Sequence, residues 1–185
     1  MIRDLRSGER YRKSAKWKRK LDQYRVLNRE ILYHGSDILN SANFDNTKQY
    51  LQHGSISVQA HSVNVARHSL ILNKKLKINC NERELVRGAL LHDYFLYDWH
   101  IPDEENPHRL HGFHHPERAL ENASREYDLS EREKEIIKKH MWPLTIVPPT
   151  CREAWIVSMA DKWVSLMETI HVYKGHGVVK DSGEE

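Results

Sequence analysis

The sequence predicts an all-α protein, a bundle of about six helices. Three observations predict it. Apolar residues recur at helical spacing, most clearly at Leu85, Val86, Ala89 and Leu90. Capping pairs stand in front of three such segments: Asn81 with Glu84, Ser130 with Glu133 and Thr150 with Glu153. Only Thr145-Ile146-Val147 looks strand-like, and it is too short to build a sheet.

The first helix is expected over roughly 9–33, carrying Trp17, Leu21, Tyr24 and Ile31 at helical spacing. A polar stretch from Gly35 to Asn46 breaks the pattern. The second helix spans roughly 57–75, capped by Ser55 or Ser57. The third starts at Asn81 and runs into His92-Asp93. Residues Pro102 to Phe113 read as a loop. Pro116 then sits where a first-turn proline opens a fourth helix, running to about Tyr127. The fifth helix ends near Met141, before Pro143, and the sixth follows Pro148-Pro149 and reaches about Val172. The tail, with Gly175, Gly177, Ser182 and Gly183, reads as mobile.

A chain of 185 residues suits one domain with short extensions. Its 39% hydrophobic content is enough for a core, while a mean hydropathy of −0.75 implies a charged surface. The net charge of +3 is unevenly spread. Eleven Lys and Arg stand against three acids between Arg3 and Arg29. Such a basic helix attracts nucleic acid, acidic lipid or a phosphorylated substrate, or is simply solvated. Cys80 and Cys151 exclude a disulfide framework and a paired-cysteine metal motif, which fits a reducing cytoplasm, the expected location. No apolar run approaches membrane-spanning length, so no membrane partner is expected, and the basic start lacks a signal peptide's apolar stretch.

The chemistry is carried by residues that sit oddly among apolar neighbours. On an ideal helix wheel Asp93 falls among Val86, Ala89, Leu90 and Tyr94. An ionised carboxylate there is costly unless compensated. His61 lies beside Val58, Val65 and Leu72, and His140 between Ile136 and Ile137. Asp161 sits at the edge of a face made by Trp155, Met159, Ala160, Trp163 and Val164. Four helices thus turn a ligand-type side chain toward a shared interior, and a metal ion would compensate them together.

The ordered set His61, His92-Asp93, His115 before Pro116, His140, and Asp161 within Ala160-Asp161-Lys162 resembles the HD-domain superfamily of metal-dependent phosphohydrolases. The resemblance covers roughly residues 50–170, on an all-helical background. The chain is expected to divide into a basic helix and connecting segment over 1–48, an HD-like metal-binding domain over 49–172 and a flexible tail over 173–185. The resemblance also implies that His61, His92, Asp93 and Asp161 hold a first metal, with Asp93 bridging to a second ion on His115 and His140. His114 competes with His115 for that role, and His111 is a ligand or an outer donor. One or two divalent ions are expected, drawn from Mn, Fe, Co, Ni and Zn. Asp93 and Lys162 are the expected catalytic residues, with Arg118, Lys139 and Arg67 as further cations around a phosphoryl group.

The chain departs from better-known relatives. After His92-Asp93 many carry Ile-Gly-Lys; here the residues are Tyr94-Phe95-Leu96. The Gly-Tyr-Pro signature of cyclic-dinucleotide phosphodiesterases is missing. Tyr97-Asp98-Trp99-His100 reads as pocket wall or as a packed aromatic turn. His53 and His68 are expected to be structural, and His34, His171 and His176 have no motif.

The expected function is hydrolysis of a phosphate ester or anhydride of a nucleotide or related phosphorylated metabolite. The alternative is a non-catalytic, metal-containing regulatory module that contacts nucleic acid or a protein through its basic first helix. A di-iron oxygenase on the same scaffold is a third expectation.

Overall fold

The computed structural model describes the backbone of residues 5–53, 56–95 and 111–170; within these, the side chains of 5–16, 53 and 111–114 are not described. The described residues form seven α-helices and one small hairpin.

Helix α1 runs Leu5–Leu39 and leaves helical geometry at Gly35 (φ −121°, ψ 21°). A Cβ there would meet Leu90 Cδ1 at 2.5 Å, so the glycine permits close approach to the helix that carries Leu90. A short helix, α2 (Ala42–Asn46), follows, capped by the Ser41 hydroxyl, which accepts from the Phe44 N–H. The expected break from Gly35 to Asn46 is therefore mostly helical. Its polar composition is overridden by Ile38, Leu39 and Phe44, all buried. The expected inward stripe of α1 holds only for its second half. Leu27 and Ile31 are buried, but Trp17 is 67% exposed and Leu21 43%. Tyr24 is half-buried, with the Arg67 guanidinium 5.3 Å from its ring centre.

Strand β1 (Leu51–His53) pairs antiparallel with β2 (Ile56–Ser57), matching Leu51 to Ser57 and His53 to Ile56. Helix α3 (Val58–Leu76) starts at once, capped by Ser57, and ends at Lys77 in the left-handed region. Helix α4 (Glu82–Leu91) is capped by Asn81, whose side chain accepts from the N–H of Arg83 and Glu84. The expected capping box does not close. The Asn81 N–H donates instead to Glu153 at 2.9 Å, while Glu84 accepts from Ser130 and Arg132, each at 2.8 Å. At its other end α4 stops at Leu91, with His92 as the C-cap, so His92 and Asp93 stand in the turn that follows.

Helix α5 (His111–Glu126) begins five residues before Pro116, so the proline is inside it rather than in its first position. Residues 111–113, expected in the loop, are helical; the rest of that loop lies outside the described residues, as do Tyr97-Asp98-Trp99-His100, His171, His176 and the tail. Helix α6 (Glu131–Lys139) has the expected reciprocal capping box of Ser130 and Glu133. Helix α7 (Arg152–Thr169) is preceded by Cys151 without a side-chain cap, because the Thr150 hydroxyl is taken by Glu135 (2.7 Å) and Glu153 by Asn81. Residues 145–147 bend and form no strand.

Helix α3 packs on α4 and α7, α4 on α6 and α1, and α6 on α5 and α7. Their shared core includes Val65, Leu70, Val86, Leu90, Ile136, Val157 and Val164. An ion cluster also joins α4, α6 and α1: the buried Arg87 donates to the buried Glu133 at 2.6 Å and to the exposed Asp37. On α7, Met159 and Trp163 are 47% and 51% exposed, so the buried face is rotated toward Val157, Ala160, Asp161, Val164 and Glu168. Among the described residues, no helix is long and apolar enough to cross a membrane.

Candidate metal centre

Five elements converge on one buried cluster. Helix α3 brings His61, the turn after α4 brings His92 and Asp93, α5 brings His115, the turn after α6 brings His140, and α7 brings Asp161. All six are buried.

Asp93 is at the centre. Its Oδ2 lies 3.2 Å from His92 Nε2 and 3.6 Å from His61 Nε2. Its Oδ1 lies 3.2 Å from His115 Nε2 and 3.4 Å from His140 Nε2. Asp161 Oδ1 closes the first group, 3.2 Å from His61 Nε2 and 3.7 Å from His92 Nε2. Two sets of atoms close enough to hold an ion result: His61, His92 and Asp93, and Asp93, His115 and His140.

Three of the four rings are aimed by their other nitrogen. His92 Nδ1 donates to the Ala89 carbonyl and His140 Nδ1 to the Ile137 carbonyl, both at 2.8 Å. His61 Nδ1 donates to Glu168 Oε2, also at 2.8 Å. Fixing the proton on Nδ1 leaves Nε2 to face the cluster as a ligand atom.

The donor set fits a divalent transition metal. Donors bound at about 2.1 Å in tetrahedral geometry stand roughly 3.4 Å apart, close to the separations above. His92 Nε2 and Asp93 Oδ1 are buried and, among the described residues, have no hydrogen-bond partner. Such orphans cost about 1–3 kcal/mol each unless something binds them. His115 Nε2 and His140 Nε2 face each other at 2.8 Å, a close pair that a shared cation or proton reconciles.

Electrostatics agree. Burial alone raises the Asp93 carboxyl, but His92, His115 and His140 outweigh it and hold it well below the usual carboxylate range. Burial acts the same way on Asp161, where His61 and His92 prevail. Burial lowers His61, yet Asp161 and Glu168 lift it to about 9. His92 is pushed well above its ordinary value by Asp93 and Asp161 against the same burial. His140 is lowered by burial, which Asp93 only partly offsets. The two buried carboxylates thus favour positive charge at His61 and His92.

Lys162 is not aimed at that cluster. Its Nζ donates to the His140 carbonyl (2.9 Å), the Ser158 carbonyl (3.2 Å) and the Ser158 hydroxyl (2.9 Å). Arg67 donates to Asn64 and Asn28, and Lys139 to Glu135 at 3.4 Å. Arg118, one turn after His115, is half-buried. His68 donates to the Asn64 carbonyl, and His34 lies 3.9 Å from Glu82. The side chains of His53, His111 and His114 lie outside the described residues.

Two contributors were not foreseen. Glu168 is two turns beyond Asp161 on α7, and that spacing is a signal the sequence does contain. Gln52, on β1, donates to Asp93 Oδ2 at 2.6 Å. No periodicity marks it.

The family description "HD domain" matches residues 58–164, more than half of the chain. The chain therefore belongs to the HD-domain family, whose members are in general metal-dependent phosphohydrolases. No curated protein and no solved structure matches it significantly.

Proposed function

We propose that this protein hydrolyses a phosphate ester or anhydride of a nucleotide or a related phosphorylated metabolite, using divalent ions held by the buried cluster. The observation that carries the reading is the shared Asp93, with one oxygen turned to each histidine set and Oδ1 without a hydrogen bond among the described residues. In this reading His61, His92, Asp93 and Asp161 hold one ion, and Asp93, His115 and His140 a second. Bound ions would polarise a phosphoryl oxygen and lower the pKa of a water.

The chain's own groups do the rest. The Nδ1–H bonds of His61, His92 and His140 hold the rings in one tautomer. Arg118 is the cation in this reading that meets the phosphoryl charge, since a planar guanidinium matches a phosphate bidentately. Lys162 acts through His140, whose carbonyl its ammonium binds. Family membership supports hydrolysis, while the choice of a nucleotide rests on the resemblance alone.

The test is a metal-supplemented screen of phosphate release across mono-, di- and polyphosphorylated nucleotides, run beside Asp93→Ala. Release by the wild type, lost in a variant of unchanged helical content, is expected. A variant that keeps full activity and metal would overturn the reading.

The exposure of Trp17 beside Lys18 and Lys20 favours a second role, contact with nucleic acid through α1. A salt-sensitive association with RNA or DNA, weakened in Trp17→Ala, tests it.

A further inference from the structure

Gln52 has no place in the reading above, yet its side chain makes the shortest polar contact to the shared carboxylate. It sits on β1, 41 residues from Asp93, and donates from Nε2 to Asp93 Oδ2 at 2.6 Å. Its Oε1 is buried and has no hydrogen-bond partner among the described residues. That arrangement has one physical sense. Turning the amide over would set Oε1 against a carboxylate oxygen, two acceptors face to face, so the donor must point at Asp93.

The consequence lies in how the carboxylate is shared. Oδ2 is the oxygen that faces His61 and His92, and Oδ1 the one that faces His115 and His140. Asp93 lies in the turn past the end of α4, where the Tyr94 N–H donates to the Leu91 carbonyl and the Phe95 N–H to the Asp93 carbonyl, bonds that hold the backbone but not the carboxylate. A carboxylate there rotates about its last bond unless something pins one oxygen. Gln52 pins Oδ2.

The hairpin is built to deliver that pin. Leu51 pairs with Ser57, and Ser57 caps α3, the helix that carries His61. The Val58 N–H also donates to the Tyr50 carbonyl at 2.9 Å. One short unit thus sets both the start of the His61 helix and the reach of Gln52.

We propose that Gln52 is a positioning residue, which holds the Asp93 carboxylate so that each of its oxygens serves a different histidine set and two ions share it. The proposal rests on the metal reading above. By its geometry, losing the amide donor releases Oδ2, lets the carboxylate turn, and weakens the bridge rather than the fold.

Manganese alone is the probe, with calorimetric titration and electron paramagnetic resonance as readouts. The variants are Gln52→Met, which keeps length and packing without the donor, and Gln52→Asn, which keeps the amide one methylene short. Wild type is expected to load two ions and show an exchange-coupled signal. Gln52→Met is expected to keep its circular dichroism, bind the second ion about tenfold or more weakly, and lose the coupled signal. Should Gln52→Met not fold, Gln52→Asn reads the same two quantities. Wild type that loads two coupled ions beside a folded variant with unchanged affinities and signal overturns the role of Gln52 alone. Wild type that takes up no manganese overturns the metal reading itself, and this role with it.

Discussion

His61 Nδ1 and Glu168 Oε2 lie 2.8 Å apart, joining the start of α3 to the last turn of α7. Both side chains are fully buried. Glu168 is itself held, since its Oε1 accepts from Asn64 at 3.0 Å. Asn64 in turn accepts from Arg67 Nη1 at 2.7 Å, and Arg67 Nη2 reaches Asn28 on α1 at 3.0 Å. A polar chain therefore runs from the cluster to the first helix. It fixes one imidazole from behind, which leaves Nε2 no freedom to turn away.

Glu168→Gln should accordingly weaken metal binding by about 10–100-fold, the usual effect of losing a carboxylate behind a ligating histidine. Glu168→Ala should also cost about 1–3 kcal/mol of stability, because it strands His61 and Asn64. Competition with a chelator measures the first, and thermal unfolding the second. An affinity unchanged in both variants would show that His61 needs no orienting partner.

His140→Ala should lose one ion and keep the other. His140 belongs to the set with Asp93 and His115, whereas His61, His92 and Asp161 stand on the other side of the shared carboxylate. Elemental analysis of carefully loaded protein decides this. Loss of both ions, or of neither, would contradict two separable sites.

The helical character was legible because periodicity and caps are local: Ser130 with Glu133 forms its box as the residues suggest, and Ser57 caps α3. Asp93, His61, His140 and Asp161 were legible because an acid or imidazole among apolar neighbours is conspicuous, and His92 and His115 through the family resemblance. What escaped depends on partners far along the chain. Glu153 closes no local box because Asn81 claims it across 72 residues. Arg87 looks like a surface charge until Glu133 and Asp37 meet it. The face of α7 was misread because large apolar residues, Met159 and Trp163, point outward while Asp161 and Glu168 point in. Hydrophobicity locates a buried face only when polar residues are not needed inside.

Arg118→Ala should raise KM for a phosphorylated substrate by about 10–100-fold, the worth of a charge-assisted hydrogen bond of about 1.5–3 kcal/mol. Arg118→Lys should recover part of it, since an ammonium supplies charge without the bidentate fork. Steady-state kinetics on the best substrate of the screen reads the split between KM and kcat. An unchanged KM in Arg118→Ala would remove this arginine from the substrate site.

Stability should fall in acid partly through Glu135. Burial raises its carboxyl, but the Thr150 hydroxyl and the N–H groups of Thr150 and Cys151 outweigh it and lower the pKa below its ordinary value. A carboxyl depressed in the folded state stabilises above its unfolded pKa, about 4.3, and that contribution vanishes as pH falls through the folded value. Glu135→Gln should thus be less stable than wild type near neutrality, with the gap closing as pH falls below the ordinary carboxylate range. Urea unfolding at several pH values measures it. A gap independent of pH would mean that the carboxylate charge contributes nothing.

Gly88→Ala sets two effects against each other. Alanine in mid-helix gains about 1 kcal/mol of propensity over glycine. The added Cβ, however, would stand 2.5 Å from Ile136 Cδ1 and 2.9 Å from both its Cβ and Cγ2. A β-branched side chain on a helix has almost no freedom at χ1, so Ile136 cannot swing aside and α4 must part from α6. Overpacking of this kind costs about 1–3 kcal/mol, and the clash should win. The separation also matters to the cluster. Helix α4 leads into Asp93 and α6 into His140, which stand 3.4 Å apart across that contact. Gly88→Ala should therefore lower both the melting temperature and the affinity for one ion. Adding Ile136→Ala removes two of the three clashing atoms, so the double variant should be more stable than the sum of the single losses predicts. Strict additivity would show that α4 and α6 tolerate the methyl by another route.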